Sequence, residues 1–161
     1  VFQTLNLLDK QRYHEDFVVL VNELIRPDLF HVKKQMASSK EVIDFLCDEL
    51  ISKNLADERY KEDVFKRESV SATSFVNGFA VPHSIEITSK ESCISIMILD
   101  KPAKWGDFEV KLVLLLAIRD TDSHLLKIFF DWLSSIVSDS NKFRQLLEVK
   151  NYQEFIQHVI E

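Results

Sequence analysis

Only two glycines and three prolines occur in 161 residues, and so small a supply of chain breakers leaves little room for long disordered linkers or low-complexity tracts. No apolar run approaches the roughly 20 residues that a membrane span needs. The longest, Val110 to Ile118, is broken by Lys111, so no membrane insertion is expected and the domain should be soluble. Cysteine is equally scarce. Cys47 and Cys93 lie far apart, each within an apolar run, and fit two buried thiols rather than a disulfide or a metal pair. Positive charge is also short: a net charge of −6 argues against direct nucleic acid contact by this segment, since phosphate backbones call for basic patches. There is no G-x-S-x-G elbow for a nucleophilic serine. No third ligand at recognisable spacing joins His83 and His124, so neither a metal nor a cofactor is expected. The first residue is Val and no signal peptide follows, which reads as a segment of a longer cytoplasmic protein.

With 46% apolar and 29% charged residues, the chain can build one compact core. From Tyr13, a stripe of Phe17, Val18, Leu20, Val21, Leu24 and Ile25 predicts a helix that stops at Pro27 and Asp28. Residues 1–28 are thus read as an N-terminal helix and linker, and 29–161 as the domain. Leu29 to Val32 is β-permissive. Ser38 and Glu41 have capping-box spacing ahead of Val42, Ile43, Phe45, Leu46, Leu50 and Ile51. Asp57 opens a more charged helix carrying Tyr60 and Val64. Cys93 to Leu99 and Val110 to Ile118 read as strands, the second buried on both faces. Thr121 or Asp122 is the expected cap of a helix bearing Leu125, Leu126, Phe129, Phe130, Leu133, Ile136 and Val137. A short helix over Ser140 to Leu147 follows, and Asn151 with Glu154 caps a last one. The class is α/β, a single domain with a sheet covered on both faces by helices.

The segment Val81-Pro82-His83 carries the chemistry. Proline fixes its own φ and biases Val81 toward an extended shape, so the imidazole leaves the end of a strand in a defined direction. A neutral ring nitrogen is a good phosphoryl acceptor near pH 7, provided that anion-stabilising groups stand nearby. Arg67, at the end of the charged helix, offers a forked guanidinium. Thr73, Ser74, Asn77 and Gly78 supply further donors on the approach to His83. His124 falls in the first turn of the strong helix, where the dipole favours an anion. Singly, each has an ordinary reading: Pro-His pairs are common, His124 is an exposed first-turn residue, and Arg67-Glu68 is a solvated pair. His14, His31 and His158 have no companions and are assigned to the surface.

Taken together, Arg67-Glu68, Thr73 through Gly78, Ala80-Val81-Pro82-His83, Trp105 before a buried strand, and Ser123-His124-Leu125-Leu126 resemble the enzyme IIA domain of the fructose/mannitol class of the bacterial phosphotransferase system, over roughly Leu29 to Glu161. The resemblance implies the mannitol-type EIIA fold, a mixed sheet with helices on both sides. It also implies that His83 is phosphorylated by phospho-HPr, that His124 helps to position the phosphate, and that Arg67 is its charge partner. The helix ahead of Leu29 resembles the connection to a IIA-like domain at the C-terminal end of BglG-type regulators, whose other domains, a IIB-like one among them, would be the partners. The expected role is therefore that of a regulatory phosphoacceptor in an antiterminator or activator of sugar-utilisation genes. The alternatives are a transport enzyme relaying phosphate to a IIB domain and a protein-binding module that is not phosphorylated. Val76 favours the last, because family members commonly carry glycine there; Ser84 also departs from the family's small residue or glycine.

Overall fold

The computed structural model describes residues 2–87 and 89–161. Helix α1 (Phe2–Val19) is continued by one π-helical turn, Leu20–Leu24, whose Leu20, Val21 and Leu24 are buried. The helix therefore does not run to Pro27: Ile25 already begins strand β1 (Ile25–Lys34) and pairs with Ile94. Ladder pairing takes the residue that the 3.6-residue pattern assigns to the helix. Pro27 is accommodated because β1 is an edge strand, where a missing N–H need not break a ladder. The expected domain boundary after residue 28 lies inside this strand.

Helix α2 (Ser39–Ser52) starts as its capping residues dictate, with Ser38 Oγ accepting from the N–H of Glu41 at 3.3 Å. The return bond differs from the standard box, for the Glu41 carboxylate takes the N–H of Ala37 at 2.8 Å. Helix α3 (Glu58–Val70) is capped by Asp57, which accepts from the N–H of Tyr60 at 3.1 Å. Two short strands follow, β2 (Ser74–Phe75) and β3 (Phe79–Ala80), turning at Gly78 with φ +97°. The long hairpin of β4 (Cys93–Trp105) and β5 (Phe108–Ala117) turns at Gly106 with φ +62°. Both glycines thus stand where the backbone enters a region that L side chains rarely adopt.

The sheet is mixed, in the order β1-β4-β5-β3-β2. β1 is parallel to β4, β4 antiparallel to β5, β5 parallel to β3, and β3 antiparallel to β2. Both faces are apolar, and strand alternation divides them. Ile94, Ile96, Ile98, Leu112, Leu114 and Leu116 face one core, closed by the π-helical turn and by helices α4 (Leu125–Val137), α5 (Ser140–Leu147) and α6 (Tyr152–Ile160). Met97, Leu99, Val113, Leu115 and Ala117 face the other, closed by α2 and α3. This two-sided burial is why β4 and β5 read as continuous apolar runs rather than alternating ones. Among the described residues, no helix is long and apolar enough to cross a membrane.

Three local expectations are corrected. Neither Thr121 nor Asp122 caps α4: Asp120–Asp122 form a 3₁₀ turn, Asp122 accepts from Ser92 Oγ at 2.5 Å, and His124 occupies the N-cap position without a side-chain bond. His31 is not a free surface ring. It lies on β1 with its side chain 12% exposed, Nε2 at 2.8 Å from Glu49 and the ring edge-on to Phe45. Leu126 and Phe130 keep the helical period yet stay outside the sealed core, Phe130 being 44% exposed, while Ile128 and Trp132 are buried.

Candidate phosphoacceptor site

His83 sits where strand β3 runs on past its last paired residue. Phe79 and Ala80 pair with Leu112 and Val113 of β5. The chain then stays beside β5, with the Leu116 N–H donating to Pro82 O at 3.0 Å and a bridge from His83 to Leu116. Proline, which lacks the N–H, thus costs this pairing nothing because its carbonyl is what β5 uses. The imidazole is half-buried, with Nδ1 at 2.9 Å from the Val81 carbonyl oxygen. A carbonyl can only accept, so Nδ1 carries the hydrogen and donates it. In the neutral ring the lone pair then belongs to Nε2, for which no protein partner is found among the described residues.

Beside the ring lies a cavity of about 200 Å³ lined by His83, Ser84, Leu116, Ile118, Leu126 and Phe130. Its apolar walls explain why Leu126 and Phe130 keep the helical spacing without being sealed in the core. Ile85, two residues beyond His83, is 68% exposed. The cavity thus combines four apolar side chains with an imidazole and a hydroxyl.

Helix α3 supports the site from the opposite face of the sheet. Its Tyr60 hydroxyl donates to Leu116 O at 2.7 Å, from complete burial, which pushes the phenol well above its ordinary pKa. One turn on, Asp63 Oδ2 accepts from the backbone N–H groups of Ile85, Glu86 and Ile87 at 2.7, 2.8 and 3.1 Å. Glu68 accepts from Thr73 N–H at 2.9 Å, from Thr73 Oγ1 at 2.7 Å and from Trp105 Nε1 at 2.5 Å. Sequence reasoning missed Asp63 and read Glu68 as half of a solvated pair with Arg67, whereas it is bonded to Thr73 and Trp105. The one available signal was spacing: Asp63 precedes Arg67 by four residues and so shares its helical face.

The remaining residues singled out from the sequence are placed as follows. Arg67 lies in the last turn of α3, with Nη1 donating to Ser71 O at 2.7 Å, where a cation suits the helix's C-terminal carbonyls. His124 stands at the N-terminus of α4, two residues before the cavity-lining Leu126; its ring is 58% exposed, with Nε2 at 3.8 Å from Asp16 of α1. Among the described residues, no hydrogen bond or ion pair joins His83, His124 and Arg67 to one another. The hydroxyls of Thr73 and Ser74 are spent internally, on Glu68 and on Trp105 O, and Asn77 Nδ2 reaches Val137 O at 3.5 Å, so these donors do not converge on His83. Val76 is 77% exposed and its φ is not positive, so the glycine requirement of this turn falls on Gly78 instead. Ser84 is accommodated by donating to Ile87 O at 2.5 Å.

Residues 23–161 match the family model described as the phosphoenolpyruvate-dependent sugar phosphotransferase system, EIIA 2. The chain belongs to this EIIA family. A probable licABCH operon regulator of Bacillus subtilis is 30% identical over 133 residues, which are 83% of this chain and 21% of the regulator. The chain thus spans about a fifth of that relative's length. The mannitol-specific phosphotransferase enzyme IIA component of Halalkalibacterium halodurans is 28% identical, over 83% of this chain and 92% of that protein. Among solved structures, the complex of enzyme IIA and phosphorylated enzyme IIB for mannitol from Escherichia coli contains a chain that superposes with a TM-score of 0.73. The match covers 85% of this EIIA chain and 99% of the other at 16% identity, and it shows the common fold.

Proposed function

We propose that this EIIA domain accepts a phosphoryl group at Nε2 of His83 from phospho-HPr, in the cytoplasm, as the regulatory domain of a transcriptional regulator of sugar-utilisation genes. The observation that carries the proposal is the ring's fixed tautomer. With Nδ1–H committed to Val81 O, the lone pair at Nε2 belongs to a ring lining an open apolar cavity. In the transfer the P–N bond of the donor phosphohistidine breaks as a P–N bond to Nε2 forms, and the donor ring keeps the electron pair it had shared with phosphorus. His124, at the N-terminus of the helix that walls the cavity, positions the phosphoryl oxygens, and Arg67 is their charge partner. The exposed apolar side chains of Ile85, two residues beyond His83, and of the cavity-lining Phe130 are where a donor protein would seat. The regulatory reading draws on the operon regulator among the relatives, and there the domain would answer to other domains of the parent, with helix α1 as the connection.

Incubation with enzyme I, HPr and phosphoenolpyruvate is expected to give an acid-labile, base-stable adduct that is lost in His83→Ala. An adduct that survives this substitution overturns the assignment. A second reading, a transport component that relays phosphate to a IIB domain, is favoured by the similarity to a mannitol enzyme IIA over 92% of its length. Rapid return of label to a IIB domain would select it, and a long-lived adduct would select the regulator.

A further inference from the structure

Asp63 is only 7% exposed, yet one of its oxygens receives three successive backbone N–H groups, those of Ile85, Glu86 and Ile87, at 2.7 to 3.1 Å. Consecutive amides that converge on one point form a nest, the concavity that backbones elsewhere offer to phosphate and other oxyanions. Here the anion belongs to the chain itself. The amides of residues 85–87 are therefore occupied and are not free to bind a phosphoryl group on Nε2.

The arrangement also decides how the histidine is held. On the entering side, Glu68 grips Thr73 through its N–H and hydroxyl, Thr73 O accepts from the N–H of Val81 at 3.1 Å, and Val81 O accepts from Nδ1 of His83. On the leaving side the chain departs from the sheet after the bridge to Leu116 and rejoins it only at Cys93. Among the described residues, the hydrogen bonds that hold residues 84–87 come from side chains: Asp63 accepts three, and Ser84 Oγ to Ile87 O closes the loop on itself. Both grips come from α3, so the imidazole is suspended between two carboxylates on one rigid helix.

We propose that Asp63 is the positioning residue of the phosphoacceptor. By clamping residues 85–87 it keeps His83 in the rotamer and tautomer in which Nδ1–H meets Val81 O and Nε2 holds the lone pair. The inference rests on the reading of His83 as the acceptor; Asp63 itself touches no reacting atom.

The test uses the 161-residue chain with Asp63→Ala and Asp63→Asn. Thermal melts check the fold, labelling by phospho-HPr gives the rate, and ¹⁵N spectra of the imidazole of the unphosphorylated chain report the tautomer. Because misplacing a reacting group by about 1 Å can cost on the order of 100-fold, Asp63→Ala is expected to slow labelling at saturating HPr by about tenfold or more. The HPr concentration for half-maximal rate should change little, and His83 should lose its dominant Nδ1–H signature. Asp63→Asn keeps an acceptor oxygen and should regain most of the rate. If Asp63→Ala does not fold, Asp63→Glu, which keeps the charge but moves the oxygen by one methylene, carries the same expectation of slowing. A folded variant of either kind with wild-type rate and wild-type ¹⁵N spectrum overturns the proposal. The tautomer is read without phosphate, so a failure of His83 as acceptor would leave this readout intact and be told apart from it.

Discussion

The division of labour between the two candidate histidines follows from their exposure. His83 is bound into the sheet edge through Leu116 and through its own Nδ1, so replacing it alters packing as well as chemistry. His124 is 58% exposed, makes no capping bond, and its nearest charged partner is Asp16 at 3.8 Å, a distance at which a solvated pair contributes little. His124→Ala is therefore expected to leave stability within about 0.5 kcal/mol of wild type, as for most surface changes, while slowing phosphoryl acceptance. Parallel urea titrations and labelling time courses check it, and equal labelling rates would remove His124 from the site.

At the level of elements, the chain's two glycines separate two costs that are usually confounded. Gly78 and Gly106 both have positive φ, but a Cβ on Gly78 would meet only Glu109 O at 3.7 Å, whereas one on Gly106 would stand 2.6 Å from the Cβ of Ala72. Gly78→Ala should thus incur backbone strain alone, about 1 kcal/mol, and Gly106→Ala the same strain plus displacement of the segment entering β2, about 2–3 kcal/mol. Urea titration ranks them, and a Gly78→Ala variant as destabilised as Gly106→Ala would contradict this account. Element types were legible where period and caps agreed: Ser38, Asp57 and Asn151 each cap the helix that follows, and β4 and β5 are the two Ile/Leu/Val-rich runs. They were illegible where a long-range partner decided. Ile25 goes to a strand because Ile94 pairs with it, and Asp122 leaves the cap because Ser92 donates to it. In the same way His83 could be read from its proline and its neighbours in sequence. The roles of Asp63, which went unread, and of Glu68, which read as a solvated partner of Arg67, could not, since residues 85–87 and Trp105 reach them only when α3 lies along the sheet.

For the molecule as a whole, the carboxylates that folding holds ionised set the response to acid. Asp28 is kept below its ordinary pKa by bonds from the Arg26 guanidinium, and Asp44 by Lys40 and Lys61, but these pairs are solvent-exposed and screened. Asp63 differs: desolvation pulls its pKa up, and the three N–H groups of residues 85–87 outweigh that pull and hold it below 3.8. A carboxylate whose folded pKa is depressed contributes its full stabilisation above the unfolded value and loses it as pH falls through the lower folded value. Asp63→Asn, which keeps an oxygen but no charge, should therefore be less stable than wild type by about 1–2 kcal/mol at neutral pH, the difference between charged and neutral acceptors. The gap should stay constant down to about pH 4 and close below it, as the wild-type carboxyl takes up its proton and becomes a neutral acceptor too. Urea titrations of both chains at pH 7, 5 and 3 measure it; curves that stay parallel to pH 3 would mean that the ionised form of Asp63 is not what the amides of residues 85–87 hold.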